Sequence, residues 1–250
     1  MDVAIFPNCI TEYKYTFGCL RNREQEIKFI NSFLNSPKKA LDLGSGPFSH
    51  LLELSISQSI FLIDINNCYL SNYSDNPNTT IIQQDVFIND LKLASRLKFD
   101  LVLCLYGIIY LCSRWKRLHA LFFKIRQCMN TGGIFIFDIT DLSNYARKFG
   151  ASGEHYFGSY NIENGSTQYT LNWNLGAEFN GQMMHSFKIV TTEKRIIHKE
   201  CRQVYHYPLE EIEKTLLQAG FKIIDEYSDF KFTKSSRIEE PRRLFVLQAV

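Results

Sequence analysis

Short apolar runs alternate with longer amphipathic segments through the first half of the chain. Apolar runs at residues 40–43, 59–63, 79–83, 99–104 and 134–138 have the length and composition of buried strands. A longer segment at 113–129 predicts a helix between the fourth and fifth runs. Strands that alternate with helices predict a parallel sheet, with helices on both faces and right-handed crossovers.

The first strand runs into a glycine turn with the sequence Asp42-Leu-Gly-Ser-Gly-Pro-Phe48. Gly44 and Gly46 carry no Cβ, so the backbone can turn tightly and approach a ligand closely. The pattern predicts a helix from Ser49, whose N-terminus would add unpaired amide donors and a positive dipole end. The turn is therefore predicted to hold a polar, partly anionic ligand. Such a turn also occurs where a strand merely packs on a helix, and that alternative stays open.

The second strand ends on Asp64, twenty residues after Gly44. A strand, a glycine turn, a helix and a second strand that ends on an acid form an arrangement that binds a ribose diol. A nicotinamide cofactor fits this layout, but Ser49 stands where its fingerprint needs a third glycine. Asp64 is alternatively a solvated turn residue or a helix N-cap, and Asp85 is alternatively the cap of a helix that begins near Ile88.

A different pattern begins after the fifth run. Residues 167–175 alternate with a period of two, and residues 184–190 and 195–205 are predicted as further strands, so that the segment predicts a small antiparallel sheet. An amphipathic helix with proline at its start and glycine at its end follows at 208–220, and two more strands are predicted at 222–227 and 244–249. The predicted organisation is an N-terminal helical lid segment (1–37), a cofactor-binding core (38–140), an antiparallel insert over the acceptor site (141–207) and a C-terminal helix with the last two strands of the core sheet (208–250).

Taken together, the D-x-G-x-G turn, the acids after the second and third strands, and Asn130-Thr-Gly-Gly133 before the fifth resemble class I S-adenosylmethionine-dependent methyltransferases of the small-molecule N/O type. The resemblance implies an α/β fold with a Rossmann-like seven-stranded sheet, and in-line transfer of a methyl group to nitrogen or oxygen of a small organic acceptor. It implies S-adenosyl-L-methionine as cofactor and S-adenosyl-L-homocysteine as product. The cofactor-binding residues would be Asp42, Gly44, Ser45, Gly46, Asp64, Ile65, Asp85, Val86, Cys104 and Leu105.

Phe48 and Cys104 each complicate the resemblance to the family. The family pattern continues to a third glycine, D-x-G-x-G-x-G, where this chain has Phe48. A bulky side chain at that point is expected to narrow or reshape the cofactor pocket. Cys104 has an alternative interpretation as a small buried hydrophobic residue, because free cysteines commonly pack in this way.

The acceptor side is predicted from the insert and the N-terminal segment. Loss of a proton from an amine or hydroxyl acceptor would be helped by a nearby base, and the candidates are His198, Glu200 and Tyr205. Candidate acceptor-binding residues are Tyr15, Tyr169, Trp173 and Arg202. An arginine suits an acceptor with a carboxylate or phosphate. The histidine is alternatively a structural residue, and the aromatic residues are alternatively the insert's own core.

Composition limits the classes of partner. Apolar residues make up 45% of the 250 residues and charged residues 22%, as in ordinary globular proteins. A net charge of +2 gives no electrostatic case for a nucleic-acid partner. Seven cysteines without a C-x-x-C pair favour reduced thiols and no metal site. The absence of a long apolar run or a signal peptide predicts a cytoplasmic protein without a membrane partner. The oligomeric state stays open, and a homodimer is one option.

Other functions remain as alternatives. A non-catalytic protein with a methyltransferase fold could serve as a binding or regulatory partner, and methylation of a protein acceptor is a further option. A nucleic-acid base methyltransferase is disfavoured because Leu105-Tyr-Gly-Ile108 lacks the Asn/Asp-Pro-Pro-aromatic motif of enzymes that act on exocyclic amines. A nicotinamide reductase ranks below these alternatives.

Overall fold

A computed structural model describes residues 22–87, 97–140, 152–162, 165–174, 182–190, 196–205, 207–232 and 242–250. The chain divides into two units. The larger comprises Arg23–Asp141 and Tyr207–Val250, and the smaller comprises Met1–Asn22 and Leu142–His206. The larger unit therefore contains the predicted core strands and the C-terminal helix, and the smaller contains the predicted insert.

The described strands are β1 (Lys39–Leu43), β2 (Ser59–Asp64), β3 (Thr79–Gln83), β4 (Phe99–Cys104), β5 (Met129–Thr140), β6 (Ser152–Ile162), β7 (Gly165–Asn174), β8 (Gln182–Val190), β9 (Ile196–Tyr205), β10 (Phe221–Ser228) and β11 (Arg242–Ala249). All of them except β6 correspond to runs that were predicted from the sequence. The larger unit contains a seven-stranded sheet in the order β10-β11-β5-β4-β1-β2-β3. Strands β1 to β5 pair in parallel, whereas β11 runs antiparallel to β5 and β10. The predicted seven-stranded α/β sheet is confirmed.

Within the described ranges, the helices are α1 (Arg23–Asn31), α2 (Asn67–Leu70), α3 (Trp115–Gln127) and α4 (Leu209–Gln218). The predictions of α3 and α4 are confirmed. The helix predicted from Ser49 is wrong, because only one 3₁₀ turn forms there, at His50–Leu52. The chain enters β2 beside the start of β1 seven residues after Leu52, and the backbone amides of Ser57 and Gln58 already bond the carbonyls of Pro37 and Lys38 at 3.1 and 3.0 Å. The return to β2 therefore begins within five residues of the 3₁₀ turn.

The core is centred on the middle strands of the sheet. Leu41 of β1 and Leu103 of β4 are completely buried, as their central position in the strand order requires. Phe137 of β5 and Phe245 of β11 stack at 5.1 Å between ring centroids. Stacked aromatic pairs add to the free energy gained by burial, which is about 1.5–3 kcal/mol for a phenylalanine side chain. Within the described ranges, no helix has the length and apolar character needed to cross a bilayer.

The insert after β5 consists of two antiparallel hairpins, β6 with β7 and β8 with β9. An antiparallel insert at this place in the chain is therefore confirmed. Strand β6 was not predicted, because Gly153 and Gly158 interrupt its period-two pattern, and a bulge lies beside Gly158. In β9, positions 198, 200 and 202 pair with positions 189, 187 and 185 of β8.

Candidate active site

The predicted cofactor residues of the larger unit lie at one edge of its sheet. Strands β4, β1, β2 and β3 are consecutive neighbours and run parallel, so their carboxyl ends meet at that edge. The glycine turn follows β1, and Asp64 is the last residue of β2. Asp85 and Val86 come just after β3, and Cys104 and Leu105 end and follow β4. In open α/β sheets, ligands bind in the crevice outside this edge.

Asp64 connects two loops at that edge. Its Oδ2 accepts a hydrogen bond from the Gly46 amide at 2.9 Å, and its Oδ1 accepts one from the Asn66 amide at 2.8 Å. The residue is 8% exposed. Burial raises the pKa of Asp64, although hydrogen bonds from the amides of Asn66, Gly46 and Ile65 act in the opposite direction. Asp64 is therefore not a solvated turn residue. Each oxygen of its carboxylate can also accept a second hydrogen bond, because each has lone pairs for more than one donor.

The glycine turn requires both of its glycines. Gly44 and Gly46 have φ angles of +69° and +58°, in the left-handed region that residues with a Cβ rarely adopt. A Cβ added to Gly44 would lie 2.3 Å from the Cδ1 of Ile108. Phe48, at the place of the third family glycine, does not have a positive φ. Its backbone conformation therefore needs no glycine, and the departure from the family pattern costs no backbone strain.

The amides of the turn bond within the protein. Gly44 and Ser45 both donate to the Ile63 carbonyl, at 2.7 and 3.1 Å, and Leu51 donates to the Ser49 hydroxyl at 3.3 Å. The Gly46 amide is bonded to Asp64. The expectation of unpaired amide donors at the helix N-terminus after the turn is wrong at Leu51. These four amides therefore fix the backbone of the turn itself.

Tyr73 and Ser49 hold the second half of the turn, and no sequence pattern predicts this role for either. The Tyr73 hydroxyl donates to the Gly46 carbonyl at 2.7 Å and accepts from the Ser49 amide at 2.8 Å. Burial raises the pKa of Tyr73, so the hydroxyl keeps its proton. The Ser49 hydroxyl donates to Oδ2 of Asp42 at 2.5 Å. Asp42, which is 4% exposed, thus serves the turn itself.

Two side chains at this edge retain capacity for a ligand. The Ser45 hydroxyl oxygen is buried and has no hydrogen-bond partner in the described structure. Ile65 is 46% exposed, although it directly follows the buried end of β2. A buried polar atom without a partner costs free energy unless a ligand or water supplies one. The edge therefore offers a hydroxyl, a carboxylate and an apolar surface.

Of the remaining predicted cofactor residues, three are buried and Asp85 is half-buried. Asp85 Oδ1 accepts a hydrogen bond from the Phe87 amide at 2.8 Å, while the helix expected near Ile88 lies outside the described residues. Val86 is 6% exposed and Leu105 4%. Burial raises the pKa of Cys104, and the carboxylates of Asp138 and Asp42 raise it further. Cys104 is therefore a neutral thiol, as its interpretation as a small buried hydrophobic residue requires.

A second polar cluster, not predicted from the sequence, lies beside the turn. The Nε2 of His50 is 2.8 Å from Oε2 of Glu26, and both residues are buried. The Tyr106 hydroxyl donates to Oε1 of the same carboxylate. Arg23 adds an Nη1 at 3.9 Å from Glu26 Oε2 and donates from Nη2 to the Ser49 carbonyl at 2.6 Å. We call Glu26, His50 and Tyr106 the Glu–His–Tyr cluster.

Arg242, the first residue of β11, contacts this cluster. Its guanidinium carbon lies 4.6 Å from the ring centroid of Tyr106, and its Nε donates to Asp138 Oδ2 at 3.0 Å. Its Nη1 donates to Asp229 Oδ1, also at 3.0 Å. Burial alone would lower the pKa of Arg242, but Asp138, Tyr106 and Asp229 outweigh that effect and raise it. The guanidinium therefore remains a fixed positive charge over the Tyr106 ring.

The predicted residues of the insert are placed by backbone position. Tyr169 and Trp173 lie in β7, opposite Gly158 and Gly153. His198, Glu200 and Arg202 lie at alternate positions of β9, and Tyr205 is its half-buried last residue. Tyr15 lies outside the described residues. Among the residues that the structure describes, no group of three or more potential ligand side chains could hold a metal ion.

An open cleft of about 970 Å³ lies at the opposite edge of the sheet, where β1 and β4 begin. Its residues include Lys38, Asp100 and Asn130. Asp100 accepts hydrogen bonds from the amides of Lys38 and Lys39, at 2.8 and 3.1 Å, and from the Asn130 side chain at 2.7 Å. The Asp100 carboxylate therefore links the starts of neighbouring strands. The predicted site residues lie elsewhere.

Comparisons with known proteins identify the fold. No protein-family model matches the sequence, and no curated protein sequence matches it significantly. Among solved structures, an S-adenosylmethionine-dependent methyltransferase from Clostridium acetobutylicum is 18% identical, with a TM-score of 0.70 over 96% of each chain. The sugar N-methyltransferase KedS8 from Streptoalloteichus is 16% identical, with a TM-score of 0.72 over 100% of this chain and 97% of KedS8.

A third similar structure is CalS10 with bound S-adenosylmethionine, an amino pentose methyltransferase from Micromonospora echinaspora. It is 13% identical, and the alignment covers 100% of both chains with a TM-score of 0.68. Identities this low show the fold alone. The chain has the class I methyltransferase fold, in which the seven-stranded sheet carries an antiparallel insert after β5.

Proposed function

We propose that this protein is an S-adenosylmethionine-dependent methyltransferase that transfers a methyl group to the nitrogen of a small organic amine. The observation that carries the proposal is the Asp64 carboxylate, fixed 2.9 Å from the Gly46 amide at the edge where β1 and β2 end. A carboxylate in that place can accept hydrogen bonds from a ribose diol. The fold, which is shared with structures described as methyltransferases, supports the same conclusion.

The side chains at this edge fit the cofactor. Asp64 would accept hydrogen bonds from the ribose hydroxyls, and the exposed face of Ile65 would pack against the adenine. The Ser45 hydroxyl, which is buried without a partner in the described structure, would bond a polar group of the methionine moiety. Asp85 and Val86, which follow β3, would contact the adenine edge.

Methyl transfer from this cofactor requires alignment of donor and acceptor more than activation of the methyl group. The cofactor supplies a sulfonium methyl group that is ready for in-line displacement. The protein must hold donor and acceptor in line and exclude water, and such positioning alone supplies about 7–11 kcal/mol of the barrier. The glycine turn is suited to this task because Asp64, Tyr73 and Ser49 fix its backbone from several directions.

The described functions of two similar structures favour an amine acceptor over a hydroxyl acceptor. KedS8 is described as a sugar N-methyltransferase and CalS10 as an amino pentose methyltransferase. We extend the proposal to Tyr15, Tyr169, Trp173 and Arg202 as acceptor-binding residues and to His198, Glu200 and Tyr205 as groups near the reacting atom, on the sequence pattern. An amino sugar linked to a nucleotide would give Arg202 a phosphate to bind.

The test is methyl transfer from radiolabelled S-adenosylmethionine to a panel of nucleotide-linked amino sugars and simple amines. We expect label in at least one amine product, and no label in matched sugars that carry a hydroxyl in place of the amine. Arg202→Leu should raise KM for the nucleotide-linked acceptor without changing cofactor affinity. If the cofactor binds and no acceptor is labelled, a non-catalytic binding role becomes the better explanation. Label in protein alone would favour a protein acceptor.

A further inference from the structure

The Glu–His–Tyr cluster lies next to the glycine turn. Strands β1 and β4 are neighbours, and Asp42 pairs with Leu103 in their register. Tyr106 lies just beyond the end of β4, and Gly44 lies just beyond the end of the neighbouring strand β1, at the same edge of the sheet. The close approach of Ile108 to Gly44 confirms that the two loops touch. The loop that carries Tyr106 therefore borders the glycine turn.

The cluster has one side chain that is partly exposed and two that are buried. Glu26 and His50 are 4% and 2% exposed, whereas Tyr106 is only partly buried. The Tyr106 hydroxyl donates its proton to Glu26, and its oxygen has two lone pairs with which it can accept. A proton offered to Tyr106 from outside therefore has a continuous path to a buried carboxylate and an imidazole.

Tyr106 is also held in an unusual conformation. Its φ angle is +64°, which a bulky residue adopts only under constraint from its surroundings. The His50 ring stacks on it at 5.9 Å and 7° between planes, and Arg242 contacts the ring at 4.6 Å. The next amide, that of Gly107, donates to Asp138 at 3.1 Å. Strain of this kind collects at functional sites, where the surrounding structure fixes it.

We propose that Tyr106 is a catalytic residue that passes the proton of the acceptor amine to the Glu26–His50 pair. The proposal rests on the proposed function. An N–H bond of the acceptor breaks and its proton joins the Tyr106 oxygen, while the Tyr106 proton moves to Glu26. The freed nitrogen lone pair forms the new C–N bond, and the C–S bond breaks with its electron pair going to sulfur. The base predicted on β9 is then not required.

The main variant is Tyr106→Phe, which removes the hydroxyl and keeps the ring between His50 and Arg242. The probes are the nucleotide-linked amino sugar that the wild-type protein methylates best and S-adenosylhomocysteine. Because general-base catalysis typically contributes about 10²–10⁴-fold, kcat near neutral pH should fall by that factor. The deficit should shrink as the pH approaches the pKa of the amine, because solvent then removes the proton. The affinity for S-adenosylhomocysteine should stay within twofold of the wild type.

Two further variants make the result specific. Glu26→Gln keeps the shape of the side chain, removes the proton acceptor and should produce the same pH-dependent deficit. Tyr227→Phe removes a hydroxyl from a ring that packs on Phe29 and Phe33 and should keep wild-type kcat at every pH. Circular dichroism and melting temperatures show whether each variant is folded, and a Tyr106→Phe protein that does not fold leaves Glu26→Gln to decide.

The outcomes separate the two proposals. An unchanged kcat in Tyr106→Phe and Glu26→Gln overturns the proton path and leaves the proposed function standing. A loss of the same size at every pH also overturns it, because that is the behaviour of a merely structural side chain. If the wild-type protein methylates none of the amines, the proposed function fails and the proton path fails with it.

Discussion

The carboxylate of Asp64 and the backbone amide of Gly46 lie 2.9 Å apart, so the end of β2 is bonded directly to the glycine turn after β1. The contact joins two parts of the site that are eighteen residues apart in the sequence. Asp64 therefore has two tasks: it fixes the turn, and it presents its remaining lone pairs at the edge of the sheet. A ligand that engages Asp64 is thereby placed against the turn.

Replacement of Asp64 by alanine should weaken the binding of S-adenosylhomocysteine. Hydrogen bonds to a charged group are worth about 1.5–3 kcal/mol, so the loss should be at least about tenfold in Kd. Titration calorimetry measures the affinity, and Asp75→Ala, at an exposed aspartate in the loop before β3, is the matched control. An Asp64→Ala protein that is folded and binds as the wild type does would refute the assigned role.

The pH dependence of stability should also depend on Asp64. Burial raises its pKa above the ordinary value of 3.8 in the folded protein, so the folded state holds this proton more tightly than the unfolded state. Its contribution to stability is then fully present below pH 3.8 and is lost as the pH rises through the folded pKa. Asp64→Asn removes this dependence.

Urea unfolding of wild type and Asp64→Asn across the acidic range should therefore show the variant gaining stability relative to wild type as the pH rises toward neutral. The difference between the two proteins isolates Asp64 from the other carboxylates. The pKa of Asp100 is lowered in the folded state despite the opposing effect of burial, so the contribution of Asp100 to stability should have the opposite pH dependence. A relative gain for Asp64→Asn at low pH instead would contradict the direction of the Asp64 shift.

Tyr73→Phe should destabilise the fold and weaken cofactor binding together. Its hydroxyl bonds both the Gly46 carbonyl and the Ser49 amide, and a buried group that loses its partner costs about 1–3 kcal/mol. Urea unfolding measures the stability, and calorimetry with S-adenosylhomocysteine measures the affinity. Tyr227→Phe should leave the affinity unchanged. Equal affinities in wild type and Tyr73→Phe would show that the turn does not depend on this tyrosine.

Gly44→Ala should be much more damaging than Gly132→Ala. Both glycines have positive φ angles, +69° and +84°, so both variants incur the left-handed penalty of about 1–2 kcal/mol. Only the new Cβ at position 44 also meets a neighbour, Ile108, whereas nothing lies within 4 Å of a Cβ at position 132. Thermal unfolding compares the two variants, and Ile108→Ala should partly rescue Gly44→Ala. Equal losses of stability would mean that Ile108 moves aside freely.

The sequence was informative wherever a local pattern exists. Strands β3 and β4 have the predicted bounds, and the acids after β2 and β3 lie at the edge where the parallel topology puts them. The sequence did not predict side-chain hydrogen bonds between residues that are distant along the chain. Tyr106 and Glu26 are 80 residues apart, and Arg242 and Asp138 are 104 residues apart. Such pairings leave no periodicity or short motif. The helix predicted from Ser49 failed for a related reason, since the return path to β2 is set by tertiary hydrogen bonds.

Titration calorimetry of the wild-type protein with S-adenosylmethionine and S-adenosylhomocysteine tests the central proposal most directly. The account predicts that both bind in the micromolar range, with one site per chain. It also predicts that Asp64→Ala loses at least about tenfold of that affinity. Absence of binding by both compounds to a folded wild-type protein would contradict the account, and Phe48→Gly would then show whether the departure from the third motif glycine is the cause.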